Sequence, residues 1–182
     1  MQRTQSTEKG ERYYTKINKT LKLKRSVECK RYPLLEVFKN LDKIPVVRRV
    51  LNKKRLENLL IRFVDKGYYM WVDDTTGEII IGRKYFVSAP KIIIYLDILH
   101  ELVHVRQYFE GKNLYDRKYS YVDRPTEIEA YRISLREAKK LELSPKKIIE
   151  YLSVDWISER DLICLAKNIR LNINEIKIDN KK

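Results

Sequence analysis

The chain has 182 residues, 43% of them hydrophobic, which suits one modest domain with extensions and allows a buried core. Its two cysteines, Cys29 and Cys164, lie far apart without CxxC spacing, which excludes a disulfide framework and predicts free thiols in a reducing compartment. The formal net charge is +14, and most of the excess falls in residues 1–60, with 17 Lys and Arg against 6 Asp and Glu.

Residues 1–32 are polar and basic with no sustained hydrophobic period, and they read as an N-terminal arm. The opening "MQRTQSTEKGERYY" has no apolar leader. From Pro33, "PLLEVFKNL" reads as a short helix, and "IPVVRRVLNKKRLENLL" (44–60) as an amphipathic one, so 33–60 form a helical segment. The pattern then changes. "IRFVDKGYYMWVDD" and "EIIIGRKYFV" are rich in β-branched and aromatic residues, with "DDTTG" between them as a hairpin turn and Gly82 as a bulge position. "IRFVD" reads as a separate first strand. "SAPKIIIYLDILHELVHVRQYFEGK" then predicts a central helix, with Ser88 as N-cap, Pro90 in the first turn and Gly111 as the stop. It is short for a membrane span and carries Asp97, His100, Glu101 and His104, so no span and a cytoplasmic location are expected. Pro125 opens the helix "PTEIEAYRISLREAKKLEL", completing a core over 61–142. Residues 143–182 add two shorter helices and a tail. The fold class expected is α+β: a small antiparallel-type sheet of about three strands packed on the central helix and the helix after it, with extra helices at both ends.

The two histidines of the whole chain, His100 and His104, fall four residues apart on the central helix. Positions i and i+4 stack on one face, about 6 Å apart along the axis, so both rings can reach one metal ion. Glu101 sits at the edge of that face, placed to take a proton from a metal-activated water. Together they form the HExxH pattern, and zinc (Zn2+) is the metal that it predicts. A catalytic zinc needs a third protein ligand, and no further histidine exists, so a carboxylate must serve. Of the two downstream candidates, Glu127 shares a helix face with Ala130, Tyr131, Leu135 and Ala138, whereas Glu129 lies about 200° away, toward solvent. Glu127 is therefore the expected ligand, and Glu129 a capping-box partner of Thr126. Asp97, one turn before His100, could orient a ligand or contact substrate. For an oxyanion donor, Tyr131 is available, with Tyr119, Tyr121 and Arg132 as alternatives.

HExxH (residues 100–104) followed by ExxA on the next helix, Glu127 to Ala130, resembles the gluzincin metallopeptidases. With the strands before the helix and the "RPTEIEAYR" segment, the chain is most similar to the minigluzincins. These are small soluble archaeal peptidases related to the catalytic cores of the membrane CAAX prenyl proteases and HtpX. The resemblance covers roughly residues 61–142. The membrane relatives carry Asp where this chain has Tyr131, and Arg106 stands where classical zincins often have an apolar residue. The resemblance implies zinc bound by His100, His104 and Glu127, Glu101 as general base and acid, and endopeptidase activity on peptide or protein substrates. It also implies that the last strand before the helix, "EIIIGRKYF", pairs with an extended substrate. It further implies a latent form in which a terminus fills the cleft. The tail, with Ile173, Ile176 and Ile178 and with Glu175 or Asp179 near the metal, could do so. The alternative is a nucleic-acid-associated metalloprotein, either a peptidase of DNA-bound proteins or a non-catalytic protein with structural zinc, which binds nucleic acid through basic residues 1–60.

Overall fold

The structure, a computed structural model, describes residues 2–171 apart from 66 and 68, with residues 2–9 as helical backbone alone. The N-terminal arm expected over residues 1–32 begins instead with helix α1 (Gln2–Thr20). Its Gln, Lys, Glu and Arg are good helix formers, and tertiary contacts anchor it. Ile17 and Leu21 are buried, and the Tyr13 hydroxyl donates to the buried carboxylate of Glu137.

Next come β1 (Lys22–Leu23), β2 (Arg31–Pro33), the single-turn α2 (Leu34–Val37) and β3 (Phe38–Lys39). The helix expected from Pro33 is thus cut short, because Phe38 and Lys39 pair with β1 and Asn40 turns the chain with a φ of 65°. The helix expected over 44–60 is two helices, α3 (Pro45–Val50) and α4 (Lys53–Asn58). Leu51 is extended between them, and the Asn52 side chain starts α4 by accepting from the Arg55 amide.

The α+β class expected is the one found. The main sheet contains β2 and three further strands, β4 (Leu60–Val64), β5 (Met70–Val72) and β6 (Ile79–Gly82), in the order β2-β4-β6-β5. It is mixed rather than wholly antiparallel: β4 and β6 run parallel, while β2 and β5 pair antiparallel with their neighbours. Ile79, Ile80 and Ile81 of β6 are all buried, as befits a strand covered on both faces. The β5–β6 hairpin turns at "DDTTG" as expected. Gly77 takes a φ of +72°, and the Asp73 carboxylate accepts from the amides of Thr75 and Thr76.

Gly82 makes no bulge. With an ordinary φ of −64° it leads into α5 (Arg83–Ser88), where the sequence predicted more strand. Phe86 decides this: it is fully buried, with its ring 5.5 Å from that of Phe38 and 5.0 Å from that of Phe63. Ser88 consequently closes α5, and Pro90 stands before the central helix α6 (Lys91–Phe109). Gly111, at a φ of +72°, ends α6 as predicted, and its amide donates to Tyr108.

Helix α6 is buried along most of its length and packs on α7 (Pro125–Lys140). Helices α8 (Pro145–Leu152) and α9 (Glu159–Asn168) follow, started by Ser144 and by a Ser158–Asp161 capping box. Cys29 and Cys164 are free thiols. Among the described residues no helix is long and apolar enough to cross a membrane. Several basic side chains of residues 1–60 have partners within the chain. Arg25 donates to the carbonyls of Phe86 and Ala89, Arg31 pairs with Glu78, Lys24 with Glu36, and Arg55 lies over the Phe109 ring. The tail that could fill the cleft, residues 172–182, lies outside the described residues.

Candidate metal centre

One helical turn of α6 places His100 and His104 side by side, and the first turn of α7 brings Glu127 against both. The two Nε2 atoms are 3.0 Å apart, and Oε2 of Glu127 is 3.2 Å from that of His100 and 3.4 Å from that of His104. Ligand atoms about 2.0–2.1 Å from a tetrahedral zinc are separated by about 3.3 Å, so this triangle matches three corners of such a site. All three residues are buried and form a metal-competent group. The kind of metal is not set by these distances.

The electrostatics agree with the geometry. Burial alone would raise the Glu127 carboxyl pKa, but hydrogen bonds and charge from His100 and His104 hold it well below the usual range. Burial opposes the charge on His104, yet Glu127 outweighs it and lifts the imidazole to about 9. Glu101 is also buried; burial pushes its carboxyl up, partly offset by the histidines. Its Oε2 and the Nδ1 of His100 are buried without a hydrogen-bond partner. An unpaired buried carboxylate oxygen beside a metal-competent group is left with its acceptor capacity unused.

Gln107 was not singled out from the sequence. It lies one turn beyond His104, and its Oε1 is 2.8 Å from His104 Nδ1. Its Nε2 donates to Glu129 at 2.8 Å and to the Thr126 carbonyl at 3.1 Å, which fixes the amide orientation and makes Oε1 the acceptor. His104 therefore carries a proton on Nδ1 and turns Nε2 toward the metal position. Glu129, expected to form a capping box with Thr126, instead joins this chain and pairs with Arg106 at 2.5 Å and Lys112 at 3.2 Å. Thr126 donates to the Leu114 carbonyl. Arg106 has its structural reason in that pairing. We expect Gln107→Ala to weaken zinc binding about 10–100-fold, measured by competition with a chelating dye, with the fold intact. Unchanged affinity would show that His104 needs no such support.

A cleft of about 520 Å³ opens over the centre, lined by His100, Glu101, His104 and Glu127 and by Tyr69, Met70, Trp71, Tyr115, Tyr121, Arg124, Asp155 and Trp156. The sequence had not assigned Trp71, Tyr115, Arg124 or Trp156 to a site. Arg124 alone had a local signal, since it precedes Pro125 and lies three residues before Glu127. Tyr131 does not line this cleft but a smaller cavity beside it, which it shares with His100, Glu101 and Tyr121. Its ring is 4.5 Å from that of His100, and its hydroxyl is 2.7 Å from that of Tyr121, which does line the cleft. Asp97 shares that smaller cavity: it accepts from the Tyr85 hydroxyl, and burial, with the nearby Glu101 charge, raises its carboxyl well above the usual value. Arg132 is turned outward to the Asn168 carbonyl, and Tyr119 is exposed. The strand expected to receive substrate, β6, is flanked on both sides by β4 and β5 and has no free edge. The edge strand beside the cleft is β5, through Met70 and Trp71.

No family model matches the chain, and neither a curated protein nor a solved structure is found similar to it.

Proposed function

We propose that this chain is a metal-dependent hydrolase of peptide bonds, with His100, His104 and Glu127 holding zinc and Glu101 as general base and acid. One observation carries the reading: three buried ligand residues and a second buried carboxylate, Glu101, with an unpartnered oxygen converge beneath one open cleft. A structural zinc site is closed by four protein ligands, whereas three ligands beneath a cleft suit a site that must admit a reactant. Zinc held there would supply acidified water and a Lewis acid for the scissile carbonyl. The residues do the rest. Glu101 takes the proton of the attacking water and passes it to the departing amine. His104, oriented by Gln107, and Glu127 fix the geometry. Tyr121 presents a hydroxyl from the cleft wall, with Tyr131 as its hydrogen-bond partner.

The test uses the purified full chain loaded with zinc and a mixture of peptides read by mass spectrometry. Hydrolysis abolished by a chelator and restored by zinc is the expected result. A chain that binds one zinc yet cuts no peptide would overturn the reading.

A further inference from the structure

The cleft wall has few uncommitted polar groups. The Tyr69 hydroxyl donates to Asp155 at 3.0 Å, and the Tyr115 hydroxyl donates to the main-chain carbonyl of Val72. Strand β5 pairs with β6 in the register Met70 to Ile81, Trp71 to Ile80 and Val72 to Ile79. The amide of Asp73 donates to Glu78 and that of Gly82 to Tyr69, so Tyr69, Trp71 and Asp73 direct their main chain at β6. Met70 and Val72 then direct theirs outward. The Val72 carbonyl is already taken by Tyr115, so an incoming peptide meets the outward main chain of Met70, which has no hydrogen-bond partner among the described residues, and loses an acceptor two residues on, at Val72.

Beside Tyr115 stands Arg124. Its guanidinium lies 5.9 Å from the ring centres of both Tyr115 and Tyr121, and only 14% of the side chain is exposed. Its partner Glu127 is held loosely: Nη1 is 3.6 Å from Oε1, in place of the short bidentate contact that an arginine makes with a committed carboxylate. Its Nε is buried and has no hydrogen-bond partner. Among the described residues, Arg124 is the one Lys or Arg lining the cleft.

We propose that Arg124 receives the free C-terminal carboxylate of a peptide substrate, so that the site trims chains from their C-terminal end rather than cutting them internally. This rests on the peptidase reading above. A chain that runs along β5 meets the Tyr115 side chain at Val72, and one that ends there delivers a carboxylate to the guanidinium beside it. The planar fork of arginine accepts both oxygens at once. Trp71 and Trp156, each exposed in the cleft wall, offer apolar faces to the terminal side chains. The reaction balances as a hydrolysis: the C–N bond breaks, the acyl carbon gains the hydroxyl of water, and the amine gains its proton.

The test separates this inference from the reading on which it rests. Zinc-loaded Glu101→Gln full chain is titrated, by tryptophan fluorescence, with two N-acetylated tetrapeptides ending in phenylalanine, one a free acid and the other an amide. The acid is expected to bind about 10–100-fold tighter, the range for a charge-assisted hydrogen bond. Arg124→Gln should abolish that preference and Arg124→Lys retain part of it, both keeping their zinc and melting temperature. In the native protein the acid should be shortened stepwise from its C-terminus and the amide spared. Equal binding of acid and amide would overturn the role of Arg124, whether or not any peptide is cut. Internal cleavage of both peptides at equal rates would leave the peptidase reading standing and overturn the inference. If Arg124→Gln loses its fold, the lysine variant and the native acid-to-amide ratio still decide.

Discussion

Glu101→Gln is expected to lower peptide turnover by about 10²–10⁴-fold, the contribution typical of a positioned proton-transfer group, while the chain keeps one zinc. The change replaces an oxygen by an NH₂ of nearly the same size, so packing around this part of α6 is preserved. None of the three ligand atoms belongs to Glu101, so metal content should not follow activity. What is lost is an acceptor that can hold a proton and return it. The oxygen concerned, Oε2, has no partner within the protein, so no internal hydrogen bond is broken by the substitution. Metal content by atomic spectroscopy and single-turnover cleavage, both on the same preparation, check the two halves. Retained turnover would remove Glu101 from the mechanism. Lost zinc would instead make it a structural support of the site.

The second large effect is on the metal itself. Glu127→Ala should reduce zinc affinity by more than about 100-fold, beyond the range expected for supporting residues such as Gln107. Glu129→Ala, two positions away on the same helix, should cost far less. It removes the pairing with Arg106 and Lys112 and loosens Gln107, but it takes away no ligand atom. Glu127 contributes one corner of the 3.0, 3.2 and 3.4 Å triangle, and without it the two imidazoles face each other with no anionic ligand between them. Competition titrations with a chelating dye on both variants give the comparison. If Glu129→Ala proves the more damaging, the third ligand has been misassigned.

The helix that carries the histidines and the inward direction of Glu127 could be read from the chain alone. Both are local: a repeat of four residues stacks two rings, and a rotation of 100° per residue separates Glu127 from Glu129. The capping box assigned to Glu129 was also a local argument, and it failed because a partner from another helix, Gln107, competes for the same carboxylate. Arginine 106 looked out of place for the same reason, since its partner is distant in sequence.

Everything that gives the cleft its character came from strand order and long-range packing. A run such as "EIIIGRKYFV" has the composition of a strand throughout, yet Phe86 is drawn into a cluster with Phe38 and Phe63 and the second half coils into α5. Nothing local to β6 says that β4 will take its other side, and that pairing moves the free edge to β5. The charged first helix likewise shows no strong period. It is held where Tyr13 meets Glu137, more than a hundred residues away. By itself the sequence determined a metal-competent pair of histidines, a glutamate beside them and a carboxylate facing them, because helical geometry is set by neighbours a few residues apart. Only the tertiary structure decided which edge faces the cleft, that Tyr115 bonds the Val72 carbonyl and that Arg124 lines the cleft. Those depend on which segments meet, and the free energy that selects among such meetings is spread over the whole core rather than written in any one stretch.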